Sequence, residues 1–426
     1  MKRQSDSILH IDLNRIIEGV PKTDQGNSVW VVFWWRNRPL GHIVLDAKQL
    51  PIDPSQLAKI SLPIIQTTIE AYTLRSNENN LAELTFRCPD KKDLDDLANG
   101  VLLQKRLSWL EDLWNKTSLD TQKTESISLV IPTRNRPAAL ADCLDSVLGM
   151  TEKPNQILVI DNGSDQPDTR KVVENFENVD YVSESIPGAS AARNTGVRRS
   201  SGSIIVFLDD DELVHPNWLS AIISCFHNPE VAIVTGLVLP AEIETEAQFQ
   251  FEQRFSFIRG YCRKIFDYQY YLNKKWCGVP VWEIGGSGNL AIRRSVFEKL
   301  GGFDQRLGAG AAGCSEDSEL FYNALANGYR CDYEPNAVVY HRHRNDIQSL
   351  ETQCFNYMQG HVTALLIQFA KYRDIGNLIR LFGILPVVYL GYFIRAYAGD
   401  PGYSKDSLTT EIAGCLSGLR YYRACR

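Results

Sequence analysis

The sequence predicts an α/β protein whose central domain is built on a doubly wound sheet. Three observations lead to this prediction. From Ser126 onward, short apolar runs rich in β-branched residues alternate with helical patterns, as in strands joined by crossover helices. The run Ser203–Leu208 has the composition of a buried central strand. Three carboxylates, Asp209, Asp210 and Asp211, follow it directly, at the end of a strand where open α/β sheets bind their ligands.

The length and composition of the chain fit a soluble enzyme with more than one domain. Its 426 residues exceed what one compact core usually takes, and we expect three regions, 1–122, 123–345 and 346–426. The net charge of −6 gives no reason to expect nucleic acid as a partner. Ten cysteines without a C-x-x-C pair indicate reduced thiols in a cytoplasmic protein. The N-terminal residues show no signal-peptide pattern.

The first region, 1–122, is predicted to be an α+β accessory domain of unknown role. Two β-rich runs, Val29–Trp35 and His42–Leu45, flank a Pro/Gly turn and predict a hairpin. Helical spacing follows over Gln56–Tyr72 and Leu102–Trp114. The three tryptophans of the first run are expected in a core or an interface, and no chemistry stands out in this region.

The central region carries the strand and helix alternation itself. Strands are predicted at Ile127–Ile131, Ile157–Ile160, Tyr181-Val182, Ser203–Leu208 and Val231–Leu239, and helices at Pro137–Leu148, Ala189–Arg199 and Pro216–Phe226. The proline that opens the first of these helices suits a first turn. Because the carboxyl ends of parallel strands meet at one edge, the residues that follow these strands should face a common crevice.

Polar residues after the first two strands are candidates for binding a nucleotide. Pro132 cannot extend a strand ladder, and it leads into the loop Thr133-Arg134-Asn135. Asp161 can accept hydrogen bonds from a base or a ribose, although Asp-Asn-Gly is also a common turn sequence. Arg193, one turn into its helix, carries a planar guanidinium that suits a diphosphate.

The acidic clusters admit two interpretations each. Three adjacent carboxylates are tolerable where a divalent cation neutralises them, and their oxygens suit Mg²⁺ or Mn²⁺; otherwise they form a solvated turn in which Asp211 caps a helix. Glu316 and Asp317 open a later helical pattern, either as capping acids or with one of them as a general base. His341 follows another predicted strand, where an imidazole could complete the cation's shell.

Seven short motifs occur in one order over about half of the chain. They are Val130-Ile131-Pro132-Thr133-Arg134-Asn135-Arg136, Ile160-Asp161-Asn162-Gly163-Ser164, Ala192-Arg193-Asn194-Thr195-Gly196, Phe207-Leu208-Asp209-Asp210-Asp211, Gly301-Gly302-Phe303-Asp304, Glu316-Asp317 and His341. In this order, residues 126–343 resemble the family 2 glycosyltransferases of the GT-A fold, which implies a mixed sheet. The resemblance implies an inverting transfer of one sugar from a UDP-, GDP- or dTDP-sugar to a carbohydrate or lipid-linked acceptor, with Mn²⁺ or Mg²⁺ as cofactor.

The resemblance also implies roles for individual residues. Donor binding would fall to Pro132, Thr133, Arg134, Asn135, Asp161, Arg193, Asp209 and Asp210. Within this set, Asp161 would hold the nucleoside together with the first loop, Arg193 the base or the diphosphate, and Asp209 the ribose. Asp211 would bind the metal with His341, and the neighbouring His343 leaves that second choice open. Asp317 would be the general base, with Glu316 beside it. The alternative function is a non-catalytic nucleotide-sugar-binding scaffold at a membrane surface.

An apolar segment of the third region, Leu381–Ile394, admits two interpretations. Its 14 residues are fewer than the roughly 20 that span a bilayer, and it is flanked by arginines in a basic region. It either lies in the interface of an anionic membrane or forms a buried helix of a C-terminal subdomain. The first interpretation predicts a peripheral contact of residues 378–395 with the inner face of the cytoplasmic membrane.

Overall fold

The structure is a computed structural model, and it describes residues 8–15, 18–22, 28–77, 125–400 and 404–425. The predicted helix Leu102–Trp114 lies outside these residues. The chain divides into two compact units. The first comprises residues 1–124 with the short pieces 242–244 and 260–263, and the second comprises the rest.

The first unit contains a three-stranded sheet and one long helix. Its elements are β1 (Ile8–Asp12), β2 (Val29–Trp35), β3 (Arg38–Leu45), a 3-10 turn (Ala47–Gln49) and α1 (Pro54–Asn77). β1 pairs with β2 in parallel, and β2 with β3 antiparallel. Every residue of β2 is buried, so its three tryptophans belong to the core of this unit. The hairpin turn is shorter than predicted because Pro39 pairs within β3.

The second unit is built on a nine-stranded mixed sheet. Its strands are β4 (Ile127–Thr133), β5 (Gln156–Asp161), β6 (Val179–Ser183), β7 (Ile204–Phe207), β8 (Glu212–Val214), β9 (Val231–Pro240), β10 (Lys264–Phe266), β11 (Leu290–Arg293) and β12 (Arg330–His341). Their order is β10-β12-β9-β11-β7-β4-β5-β6, and β8 also pairs with β12. β4 to β7 are parallel, β9 is parallel to β12, and β11 lies antiparallel between β7 and β9. The predicted α/β fold with a mixed sheet is confirmed.

Helices connect these strands and complete the core. They are α2 (Pro137–Leu148), α3 (Asp168–Val173), α4 (Ala189–Arg199), α5 (Trp218–Phe226), α6 (Glu246–Arg254), α7 (Tyr268–Lys274), α8 (Arg294–Leu300) and α9 (Glu316–Ala326), with 3-10 turns at Lys275–Cys277, Val281–Glu283 and Ser287–Asn289. Pro137 stands in the first turn of α2, as predicted. The apolar faces of α2 and α5 pack on β4, β5, β7 and β9 in one core cluster.

The C-terminal part is helical, also as predicted. It comprises α10 (Ile347–Tyr372), α11 (Ile375–Ile379), a π-helical turn (Arg380–Ile384), α12 (Leu385–Tyr397) and α13 (Lys405–Ala424). Residues Ile375–Tyr397 form one continuous helical run of 23 residues with a mean hydropathy of 1.6. By length and composition it is the one helix in the described part of the chain that could cross a membrane. Only 17% of it is buried, so it is not the buried helix that the sequence also allowed.

Candidate functional site

The three aspartates lie at the carboxyl end of β7, in the middle of the sheet. β7 pairs with β4, and the first loop predicted to face the crevice begins where β4 ends. The hydroxyl of Thr133 donates to Oδ2 of Asp210 across 2.7 Å. The structure therefore brings the acidic run and the β4 loop together, as the strand-end argument predicted.

Asp210 is the structural member of the acidic run. Besides Thr133, it accepts a hydrogen bond from Nη1 of Arg136 at 3.0 Å, and the same nitrogen lies 2.8 Å from Oδ2 of Asp211. Burial raises the pKa of Asp210 to about 6, with a further contribution from the charge of Asp211. Because its oxygens are engaged by Thr133 and Arg136, Asp210 fixes the loop that carries its neighbours.

Arg193 links the acidic run to a helix from much later in the chain. It lies on α4 and is 3% exposed, with Nη2 at 2.6 Å from Oδ1 of Asp209 and Nη1 at 2.7 Å from Oε1 of Glu316. Burial alone would lower the pKa of Arg193, but Asp209 and Glu316 raise it above its ordinary value. Two charge-assisted bonds of this kind hold the end of β7 against the start of α9. The guanidinium predicted to meet a diphosphate is thus occupied by two carboxylates of the protein.

Asp317 opens α9 beside this link. Its Oδ2 accepts the Ser287 amide at 3.2 Å and its Oδ1 accepts the Ser318 amide at 2.6 Å. Burial raises the pKa of Asp317 to about 6, and the neighbouring charge of Glu316 adds to the effect. A carboxylate with such a pKa is ionised at neutral pH and is still basic enough to accept a proton.

A chain of two imidazoles reaches the acidic run from β12 and α6. Oε1 of Glu252 lies 2.6 Å from Nε2 of His343, and Nδ1 of His343 lies 2.9 Å from Nδ1 of His341. Nε2 of His341 lies 3.6 Å from Oδ1 of Asp211. With His343 and His341 both neutral, the carboxylate of Glu252 accepts from Nε2 of His343, and Nδ1 of His343 accepts the Nδ1 proton of His341. Nε2 of His341 then presents a lone pair towards Asp211.

This arrangement separates the two histidines that the sequence left open. Both ring nitrogens of His343 are engaged inside the protein, whereas Nε2 of His341 faces a carboxylate. Burial lowers the pKa of His341 to about 4, against the opposing effect of Asp211, so its imidazole is neutral at physiological pH. A neutral imidazole is the form that ligates metals. Glu252 is held on α6, which begins with a capping box formed by Thr245 and Gln248.

Asp211 and His341 are the two side chains of the site whose chemistry would suit a divalent cation. In the described residues there is no group of three or more His, Cys, Asp or Glu side chains that could hold a metal. The pKa of Asp211 is lowered against the effect of burial, by protonated His341 at the acid pH where Asp211 titrates and by Arg136. At neutral pH Asp211 therefore offers an ionised oxygen, and neutral His341 offers a nitrogen. Mg²⁺ and similar ions are commonly bound by one or two protein ligands together with substrate phosphates. An oxygen and a nitrogen would therefore suffice for a cation whose remaining ligands come from a phosphorylated substrate.

The other predicted donor residues are spread over the neighbouring loops. Asp161 is buried at the end of β5, where it accepts hydrogen bonds from the Tyr181 hydroxyl at 2.8 Å and the Ser164 amide at 3.1 Å. Asn135 bonds through its side chain to Asp165, which ties the β4 and β5 loops together.

Pro132 is buried within β4, whereas Arg134 is exposed in the loop that follows. Of the predicted residues, two sets are joined by side-chain bonds: Thr133, Asp210, Asp211 and His341 around Arg136, and Asp209 and Glu316 around Arg193. The two sets meet at the adjacent residues Asp209 and Asp210, and Ser287 bonds to both Glu316 and Asp317. Asp161, Asn135 and Arg134 form the loops beside these sets.

Three contributors were not assigned a role from the sequence. Arg136 closes the first motif, and Glu252 lies in an aromatic-rich stretch with no motif around it. Glu212 follows the three aspartates, and burial together with Asp209 raises its pKa well above the ordinary range. A Cβ at Gly288 would lie 2.5 Å from Oε2 of Glu212, so only glycine fits there without displacing Glu212. Glu212 could have been identified as the fourth acid of the run Asp-Asp-Asp-Glu. No sequence pattern around Glu252 indicates its role.

Comparison with known proteins gives consistent matches over the same region. The family described as Glycosyl transferase family 2 matches residues 128–301. The O-antigen biosynthesis protein RfbC of Myxococcus xanthus is 28% identical over 220 residues, which are 49% of this chain and 16% of RfbC. Glycosyltransferase AglE of Haloferax volcanii is 26% identical over 269 residues, which are 61% of this chain and 81% of AglE.

Among solved structures, the mannosyltransferase PcManGT from Pyrobaculum calidifontis, in complex with GDP-Man and Mn²⁺, is similar at a TM-score of 0.46 and 16% identity. The similarity covers 74% of this chain and 95% of that one. The chain thus spans about a sixth of the length of RfbC and most of that of AglE.

Proposed function

Residues 128–301 match the family described as Glycosyl transferase family 2, and from this premise we propose that the protein is an enzyme that transfers one sugar from a nucleotide-diphosphate sugar to an acceptor hydroxyl with inversion. The transfer depends on Mn²⁺ or Mg²⁺, and Asp317 is the general base. The donor is a UDP-, GDP- or dTDP-sugar, and the acceptor is a carbohydrate or lipid-linked molecule. No nucleic acid takes part.

One observation carries this proposal. Arg193 bonds to Asp209 at the end of β7 and to Glu316 at the start of α9, so the acidic run and the basic carboxylate of Asp317 belong to one site. A displacement with inversion needs a base on the acceptor side and a stabiliser of charge on the leaving-group side. The linked arrangement supplies a candidate for each, on two different elements.

The charge balance of the site favours a cation. Four carboxylates, those of Asp209, Asp210, Asp211 and Glu316, pair with two arginines, Arg136 and Arg193, and Asp317 adds a fifth carboxylate beside Glu316. Asp211 and His341 would hold the metal, which would supply charge stabilisation worth several kcal/mol to a departing nucleoside diphosphate. Arg344 is exposed and lies close enough to Asp211 to contribute to the lowering of its pKa, and its charge is available to the diphosphate.

The protein's own residues would divide the reaction as follows. Asp161 and the β4 loop hold the nucleoside, and Asp209, fixed by Arg193, accepts from the ribose. Asp317 takes the proton from the acceptor hydroxyl as that oxygen attacks the anomeric carbon, and the bond from this carbon to the diphosphate breaks. A positioned base contributes about 10²–10⁴ to such a rate. The two amides that bond to Asp317 hold its carboxylate in place.

The proposal is tested by donor binding and turnover with purified protein. Nucleotide sugars are screened by thermal shift with and without Mn²⁺, and the best donor is followed for release of nucleoside diphosphate. We expect one class of donor to raise the melting temperature only with the metal, and to be turned over. Tight metal-dependent binding without turnover of any donor, in the presence of carbohydrate and lipid-linked acceptors, would favour the scaffold instead. The cytoplasmic location at the inner face of the cytoplasmic membrane stays a prediction.

A further inference from the structure

The helical run Ile375–Tyr397 exposes an apolar stripe along its whole length. Its exposed large side chains are Ile375, Ile379, Phe382, Val387, Leu390, Ile394 and Tyr397, each between 46% and 73% exposed. They recur every three to five residues, so they lie along one face of the helix. A run of 23 residues is about 34 Å long at 1.5 Å per residue. A continuous apolar stripe of this length is larger than soluble proteins usually leave in water.

Polar contacts hold the opposite face of the run against the rest of the second unit. The buried Asn377 donates to the Tyr322 hydroxyl at 3.2 Å, and the Tyr389 hydroxyl donates to Oε2 of Glu411 at 2.8 Å. The guanidinium of Arg380 lies 4.2 Å from the centre of the Trp282 ring. A helix that crossed a bilayer would carry these partners into the hydrocarbon, where buried polar groups and charges are costly. The contacts therefore place the run along a surface, with one face towards the protein.

Both ends of the stripe carry an aromatic ring next to a cation. At the start, Trp276 is 67% exposed with the Lys275 ammonium 5.4 Å from its ring centre, and both line one surface cavity with Arg373 and Ile375. At the end, the Lys405 ammonium lies 3.8 Å from the ring centre of Tyr397. Tryptophan and tyrosine favour the level of lipid headgroups, and lysine and arginine favour anionic lipids. This pairing is complementary to the surface of an anionic bilayer.

We infer that the run Ile375–Tyr397 lies in the plane of an anionic membrane, with its apolar stripe in the headgroup–acyl boundary and the Lys275–Trp276 and Tyr397–Lys405 pairs at headgroup level. A helix that is apolar on one face and anchored on the other binds in this way without spanning. Beyond a membrane contact of residues 378–395, the inference assigns the face of the helix that meets the lipid and the residues at each end that lie at headgroup level. It does not depend on the proposed sugar transfer, because vesicle binding is measured without donor or acceptor.

The test uses the full chain with vesicles of phosphatidylglycerol and phosphatidylcholine, and with phosphatidylcholine alone. The variant Val387→Glu with Leu390→Glu places two charges on the stripe, at positions exposed to solvent. The matched control is Leu148→Glu, which changes an exposed leucine on α2. We expect wild type and control to float with the anionic vesicles, and the double variant to partition at least tenfold more weakly with an unchanged circular dichroism melt. High salt should release part of the wild type, and alkaline carbonate nearly all.

Four results would overturn the inference. If wild type stays out of the anionic vesicle fraction, the chain does not bind such membranes. If the double variant binds as wild type does, the apolar stripe does not mediate the binding. Wild type that resists extraction by carbonate would show a spanning helix. A wild-type dimer in sedimentation equilibrium without vesicles, reduced to monomer by the double variant, would assign the stripe to a second copy of the chain.

Discussion

Replacing Asp317 with asparagine should affect catalysis and stability in opposite directions. A pKa of about 6 against the usual 3.8 means that ionised Asp317 costs the folded protein about 3 kcal/mol at neutral pH. The sign follows from the raised pKa: below pH 3.8 the carboxyl is protonated in both states, and the cost grows as the pH rises to about 6 and is complete above it. Asparagine removes this cost.

The gain should be smaller than the full cost. The carboxylate accepts two backbone amides, from Ser287 and Ser318, and asparagine keeps one acceptor oxygen and turns an NH₂ group towards the other amide. Losing one such bond costs roughly 1–2 kcal/mol. We therefore expect Asp317→Asn to raise the free energy of unfolding by about 1–2 kcal/mol, which corresponds to a few degrees in melting temperature.

The assay measures unfolding and transfer on the same preparation. Thermal unfolding is followed at pH 7.5 and at pH 4, and the gain should be much smaller at the lower pH. Transfer by the variant should fall by about 10²–10⁴ while Mn²⁺-dependent donor binding is kept. Wild-type transfer should decline below about pH 6 as Asp317 takes up a proton. Asp145→Asn, an exposed acid on α2, should leave all quantities unchanged. Transfer at the wild-type rate would refute the base assignment, and a lower melting temperature would refute the electrostatic argument.

Three further predictions follow from the same network. Asp211→Asn should abolish the Mn²⁺-dependent part of nucleotide binding in calorimetry, and binding that still responds to the metal would show that another group holds it. Glu252→Gln should weaken Mn²⁺ affinity about 10–100-fold, because glutamine can donate to Nε2 of His343 and so reverse the proton positions in both imidazoles. Activity at saturating Mn²⁺ should largely return, whereas a damaged fold would not recover. Arg193→Met should lower the free energy of unfolding by about 3–5 kcal/mol in urea, since it leaves Asp209 and Glu316 without their cation, and a change below 1 kcal/mol would contradict the linking role.

Much of the sheet was predictable because its strands are short, apolar and entirely buried. β4, β7 and β9 are buried at every residue and β5 at all but its first, so each of these strands has an apolar composition that can be recognised from its own sequence. The acidic run could be placed at a strand end for the same reason. The strand β11 was harder to place: the four residues Leu290–Arg293 show no period of their own, and their antiparallel position between β7 and β9 depends on distant partners.

The parts of the site that escaped prediction depend on contacts across long sequence separations. Glu252 reaches His343 across 91 residues and Arg193 reaches Glu316 across 123, and no local pattern encodes either pair. The exposure of Ile375–Tyr397 could not be read from composition, because an apolar run looks the same whether it packs inside a domain or faces outward. Polar residues on its inner face, such as Asn377 and Tyr389, bond to the rest of the unit and so determine which face of the helix is exposed.

The central place of β11 has a consequence for synthesis on the ribosome. The edges of β7 and β9 that β11 later joins are complete at Pro240, but the strand that covers them ends 53 residues further on, at Arg293. At typical rates of elongation these edges wait roughly 3–10 s for their partner. Unpaired apolar strand edges are sites of aggregation. Between residues 240 and 293 the nascent chain therefore carries open apolar edges on both β7 and β9, and the two halves of its sheet cannot yet close.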